Sequence, residues 1–144
     1  MSHTYKSALP PSLTPDEGIT SFFESFYAIS DTPSAHDAYV SSFTPDATLI
    51  MASKKGVGAS EILEIRKGMW KTVKSRLHTP QQIFPFGAGS REVMLHGLVK
   101  YELLDGRKAE VEWAARAELV KQDEKWKMSF YQVYLDTAAM ANAK

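Results

Sequence analysis

The stretch KAEVEWAARAELV, Lys108 to Val120, alternates from end to end. Ala109, Val111, Trp113, Ala115, Ala117 and Leu119 fall on one side of an extended chain, and Lys108, Glu110, Glu112, Arg116 and Glu118 fall on the other. Successive side chains of a strand point to opposite faces, so this period of two describes a strand with one face in a core and one face in water. That pattern is typical of antiparallel sheets, and a strand longer than the usual ~5–6 residues bends as it twists. A curved sheet is therefore the first expectation.

The flanks extend it. Asp105-Gly106 is a tight hairpin turn, and Glu92 to Leu104 before it alternates as well. Arg76 to Phe86 carries Pro80 and Pro85, each lacking an amide donor, so this strand is expected to be irregular, bulged or at an edge. Downstream, Gln122-Asp123-Glu124 is a turn and Trp126 to Asp136 a last strand, followed by a small-residue tail. Upstream of Arg76 the period becomes helical. Ile62, Ile65, Met69 and Val73 share one face of a helix expected from Ser60 to Lys74, with Trp70 beside that stripe. Lys54 to Gly58 reads as a loop, Ala47 to Ala52 as a short buried strand, and Ser34 to Ser42 as a short helix with Ala35, Ala38 and Tyr39 inward. Thr14-Pro15-Asp16-Glu17 reads as a helix start, with Thr14 as N-cap, Pro15 in the first turn and Glu17 at the capping-box position. Ile19, Phe22, Phe23, Phe26 and Ser30 follow at helical spacing, and Asp31-Thr32-Pro33 ends that helix.

The expected fold is thus α+β, about three helices laid on a curved antiparallel sheet, a cone with an apolar pocket at its mouth. Residues 1–13 are expected to be a flexible N-terminal arm, residues 14–137 one domain, and residues 138–144 a C-terminal tail. With 144 residues, 44% hydrophobic and 24% charged, the chain can bury a substantial core. Lys plus Arg and Asp plus Glu are 17 each, which removes the electrostatic reason to expect nucleic acid or an anionic membrane as partner. The absence of cysteine excludes disulfides, thiolate metal sites and thiol nucleophiles. No apolar run suits a secretory signal or a spanning helix, so a cytoplasmic location is expected.

Four pieces of the sequence, in order, resemble a known superfamily. They are the aromatic first helix running from Phe22-Phe23-Glu24-Ser25-Phe26-Tyr27 to Asp31, the step Phe43-Thr44-Pro45-Asp46-Ala47 into a strand, Gly58 ahead of Ile62, and Asp123-Glu124-Lys125-Trp126-Lys127-Met128 entering the last strand. Between residues 16 and 136 the chain is similar to the nuclear transport factor 2-like superfamily, in particular its SnoaL-like and scytalone dehydratase-like branch. The resemblance implies a cone-shaped domain, often a homodimer, with a ligand cavity between helices and sheet. It implies a pocket histidine at His78, an acidic residue at Asp31 that orients it, and a phenol at Tyr27 that polarises a carbonyl.

Each candidate has a plainer alternative. His78 would be a proton donor and acceptor, or a partly buried histidine bonded to backbone. Asp31 is also an ordinary helix-terminating residue, and Tyr27 and Tyr39 also suit a core. The walls of the pocket are expected to include Phe23, Phe26, Tyr39, Met51, Trp70, Trp113 and Phe130. The chain departs from the dehydratases in one strand especially: Ala114, Ala115, Arg116 and Ala117 stand where those enzymes carry serine and asparagine. His96 shares a face with Lys100 and Glu102, away from Val93, Leu95, Val99 and Tyr101, so a second pocket histidine is not expected. The Asp-Arg-Asp set of epoxide hydrolases of this fold is not assembled. Gly56-Val57-Gly58 lacks the lysine and strand context of a phosphate loop. His3, His36, His78 and His96 show no metal-ligand spacing, so no metal and no cofactor are expected. Two functions remain open. One is a small cofactor-independent isomerase, cyclase or dehydratase working by acid/base chemistry on an apolar oxygenated metabolite. The other is a non-catalytic module of the same fold that binds a hydrophobic ligand or mediates dimerisation or protein interaction. A homodimer is expected for either, from the half-apolar outer sheet face with Met94, Leu98 and Val120.

Overall fold

Alternation along the C-terminal half becomes one long, curved set of hairpins. The computed structural model describes residues 3–144. Its elements are α1 (Ile19–Ser30), α2 (His36–Ser41), β1 (Phe43–Met51), β2 (Lys54–Val57), α3 (Ala59–Met69), β3 (Val73–Pro85), β4 (Glu92–Leu103), β5 (Lys108–Gln122), β6 (Lys125–Leu135) and α4 (Ala138–Ala141). They make a six-stranded sheet in the order β2-β1-β6-β5-β4-β3. Pairs from β3 to β6 are antiparallel, as the hairpin turns require. The sheet as a whole is mixed, which corrects the all-antiparallel expectation: β1 lies parallel to β6, with Leu49 opposite Tyr131. Parallel neighbours need a long crossover rather than a hairpin, and everything from β2 to β5 is that crossover. No local pattern in β1 announces its partner.

The inner face of β5 is the one its alternation marks: Val111, Trp113, Ala115, Ala117 and Leu119 are all buried. They join one core with Ile19, Phe23, Phe26 and Tyr27 of α1 and Ile62 of α3. The proline-bearing β3 is an edge strand with a bulge between Pro80 and Gln82. Before the bulge Arg76, His78 and Pro80 lie opposite Tyr101, Val99 and Gly97; after it Ile83 and Pro85 lie opposite Leu95 and Val93. The extra residue shifts the phase by one, so both halves of β3 face inward. Gly97 makes this possible, because a Cβ there would collide with the carbonyl oxygen of Thr79 and lie 2.9 Å from Pro80 Cα.

Tertiary pairing overrides several local expectations. Helix α1 starts at Ile19, after Gly18 at φ 89°, with no side-chain cap. Thr14 and Glu17 do not form a capping box, because Pro15 bridges Ser90 and the Asp16 amide donates to the Ser90 carbonyl, which holds this segment extended. Lys54–Val57 is not a loop but β2, paired antiparallel with β1. Helix α3 stops at Met69, and Val73 already belongs to β3. The segment expected as a loose arm lies along the open edge of β3, where the Ala8 amide donates to Gln81 and the Ala8 carbonyl accepts from Ile83. The C-terminal tail contains α4, and its end pairs with the start of β5 through two backbone hydrogen bonds between Lys108 and Lys144. No helix among the described residues is long and apolar enough to cross a membrane.

Candidate active site

Helices α1, α2 and α3 and the inner sheet face enclose a cavity of about 460 Å³, whose mouth is edged by Thr137 and Met140 of the C-terminal segment. Its floor includes Val99, Trp113, Tyr131 and Val133 from three neighbouring strands. Phe26, Tyr39, Met51 and Trp113, four of the expected wall residues, line it.

Asp31 and His78 meet at its edge. Asp31 follows the last turn of α1 as its C-cap, and the Thr32-Pro33 break leaves its side chain directed at β3. Its Oδ1 lies 2.6 Å from His78 Nδ1, and its Oδ2 accepts hydrogen bonds of 2.8 Å from the His78 amide and from the Tyr5 hydroxyl. Helix termination and histidine pairing are therefore two roles of one position. A carboxylate at Nδ1 requires a proton there, which leaves Nε2 as the acceptor of a neutral ring. The His78 side chain is 13% exposed and lines the cavity. Burial pulls its pKa below 6.5, and the hydrogen bond and charge of Asp31 offset that only in part. A neutral imidazole with a free nitrogen can take a proton from a molecule in the cavity.

Four expected site residues are placed differently. Tyr27 is fully buried behind His78, with ring centroids 5.1 Å apart, and does not reach the cavity surface. Its hydroxyl is occupied by a 2.8 Å hydrogen bond shared with Tyr131, and it is Tyr131 that lines the cavity. Burial drives both phenols up, so neither ionises near neutrality. Phe23 is core packing against Phe22 and Tyr27. Phe130 is on the outer sheet face, because its neighbours Tyr131 and Val133 take the inner side, and its ring stacks 4.2 Å from the Arg116 guanidinium. Trp70 also stands outside the lining; its ring packs under the guanidinium groups of Arg66 and Arg76. His96 faces away from the cavity, as its strand parity requires, and bonds to Gln82.

Two arginines were not foreseen. Arg66 is fully buried and caps the end of α1, donating to the carbonyls of Ser30, Ile29 and Thr32 and to His36 Nδ1. Burial draws its pKa down to about 10, which leaves it charged at neutral pH. It was legible as the one charged residue a turn beyond Ile62 on an otherwise apolar stripe. Arg76 lies two residues before His78 and on the same strand face, lining the same cavity. No group of three or more His, Cys, Asp or Glu side chains able to hold a metal ion occurs among the described residues.

No family model and no curated protein matches the chain. Solved structures do. A candidate scytalone dehydratase from Novosphingobium aromaticivorans superposes at TM-score 0.72 with 14% identity, over 83% of each chain. A hexachlorocyclohexane dehydrochlorinase superposes at 0.69 with 14% identity, over 83% of each chain. Nuclear transport factor 2 from Cryptosporidium parvum superposes at 0.67 with 12% identity, over 87% of this chain and 100% of that one. The chain has the nuclear transport factor 2-like fold. Enzymes and a transport factor share that scaffold, so activity has to come from the site.

Proposed function

We propose that this protein is a cofactor-independent acid/base enzyme, an isomerase, cyclase or dehydratase acting on a mostly apolar, oxygenated small molecule. In this reading His78 Nε2 removes a proton from a carbon of the substrate. The electron pair of the broken C–H bond either delocalises into a conjugated carbonyl or forms a carbon–carbon double bond to the neighbouring carbon, whose C–O bond breaks with its pair leaving on hydroxide. The imidazolium so formed then returns its proton, to another carbon in an isomerisation or to the departing oxygen in a dehydration. Asp31 fixes the tautomer and stabilises the imidazolium, and Tyr131 rather than Tyr27 is the phenol within reach of the substrate. The observation that carries the proposal is the contact of Asp31 with both the ring and the amide of His78, at the edge of a cavity that His78 lines, while Nε2 makes no hydrogen bond among the described residues. The dehydratase and dehydrochlorinase among the structural neighbours support it at the level of fold.

The protein is further proposed to act in the cytoplasm as a homodimer. Support for the dimer comes from the outer sheet face, where Phe84, Phe86 and Met94 are exposed. The deciding experiment is His78→Gln, with turnover and ligand affinity measured separately on a panel of enolisable ketones and β-hydroxy ketones. Turnover should fall by about 10²–10⁴-fold, the usual contribution of a general base, with affinity retained. Unchanged turnover would leave the fold as a hydrophobic-ligand-binding or interaction module.

A further inference from the structure

Among the described residues, one buried charged side chain of the cavity lining has no ion-pair partner. The charged side chains at or directly behind its wall are Asp31, Arg66, Arg76 and, at the rim, the exposed Lys54. Asp31 spends both oxygens on His78 and Tyr5. Arg66 is saturated by three carbonyls and an imidazole. Arg76 is different. It is 8% exposed, and its hydrogen-bond partners among the described residues are the Met69 carbonyl at 2.7 Å and the Met69 sulfur at 3.6 Å. Its buried Nε has no partner, and no carboxylate forms an ion pair with it among the described residues. The rings of Trp70 and Tyr101 hold it at 4.8 and 5.3 Å, which fixes the guanidinium without neutralising it. A guanidinium has five N–H donors in a planar fork; with Nε sealed in the wall and one hydrogen bond made by each terminal nitrogen, one N–H on each terminal nitrogen remains for a carboxylate. Among the described residues no aspartate or glutamate lines the cavity.

We infer that Arg76 is an anion-binding group of the cavity, and that the ligand is an apolar carboxylic acid whose carboxylate docks on Arg76 while its hydrocarbon body fills the aromatic space beside His78. The inference sharpens the substrate class of the proposed enzyme, but the binding part stands without catalysis. Arg76 and His78 are two positions apart on one strand face, about 6.6 Å between Cα atoms. A small acid whose reacting carbon is a few bonds from its carboxylate spans that gap.

The test is affinity, measured by calorimetry on the full chain, for benzoate, cinnamate, 4-phenylbutyrate and decanoate against the methyl ester of each. At least one acid should bind about tenfold or more tightly than its ester, the size expected of a charge-assisted hydrogen-bonded pair. Arg76→Met should abolish the preference while leaving ester affinity within about twofold, and Arg76→Lys should retain part of it. His78→Gln should keep the preference, so a failure of the catalytic proposal is separable from a failure of this one. If no acid outbinds its ester in the wild-type protein, or if the preference survives in Arg76→Met, the inference is overturned. Should Arg76→Met not fold, the wild-type comparison and Arg76→Lys still decide.

Discussion

His78 sits where two opposing effects meet: a cavity wall that disfavours its charged form and a carboxylate that favours it. Burial wins, so the neutral ring, the form the proposed reaction needs, is the resting form at pH 7. The turnover proposed above should therefore rise with pH through a midpoint below 6.5 and stay level through neutrality. Asp31→Asn removes the favourable hydrogen bond and charge, so the midpoint should move lower still while the plateau falls by about tenfold or more. A pH profile separates this from simple misfolding, which lowers the plateau without moving the midpoint. Stability has its own sign. The folded value lies below the unfolded one, so the contribution of the neutral buried ring is complete above about 6.5 and is lost as pH falls through the folded value. Thermal melts on acidification should show that loss in the wild type and less of it in His78→Gln. Of the residues that matter here, His78 and Asp31 were singled out from the sequence by the family resemblance, Asp31 also as the residue that ends α1, while His78 lies inside β3 rather than at its start. Arg76 was not, since a cation at a strand start ordinarily points to water, and only the enclosure of that end of β3 by α3 turns it inward.

At the scale of elements, the site depends on the bulge in β3. Without the extra residue near Pro80, His78 and Ile83 would lie on opposite faces, and either the imidazole or the core would be exposed. The two prolines signalled an irregular edge strand, but which residue is added and which face gains from it follows from the pairing with β4. Gly97→Ala should therefore destabilise the fold by about 1–3 kcal/mol, because a methyl group there overpacks against the backbone of Thr79 and Pro80. Denaturant unfolding measures it, and a change smaller than about 0.5 kcal/mol would show that the bulge can shift to make room. The N-terminal segment shows the same dependence on tertiary context. Its polar, proline-bearing composition reads as loose, yet a free strand edge offers it unpaired backbone groups, and Tyr5 arrives there as the third donor to Asp31.

For the whole molecule, a convex sheet face with exposed Phe84, Phe86 and Met94 is the proposed dimer surface. Sedimentation velocity should give a dimer for the wild type, and Phe86→Asp combined with Met94→Asp should shift it toward monomer; a wild-type monomer would remove the proposal. The periodicities alone determined the α+β class, the long hairpins, the buried face of β5 and most of the helical stripe of α1. These are consequences of local geometry, since a period of 2 or 3.6 assigns a face wherever the chain goes. Tertiary structure alone decided the parallel placement of β1 beside β6, the conversion of Lys54–Val57 into a strand, the outward turn of Phe130 and the burial of Arg76. Each of those depends on a partner distant in sequence, and a hydrogen bond or a desolvated charge is assigned only when that partner arrives.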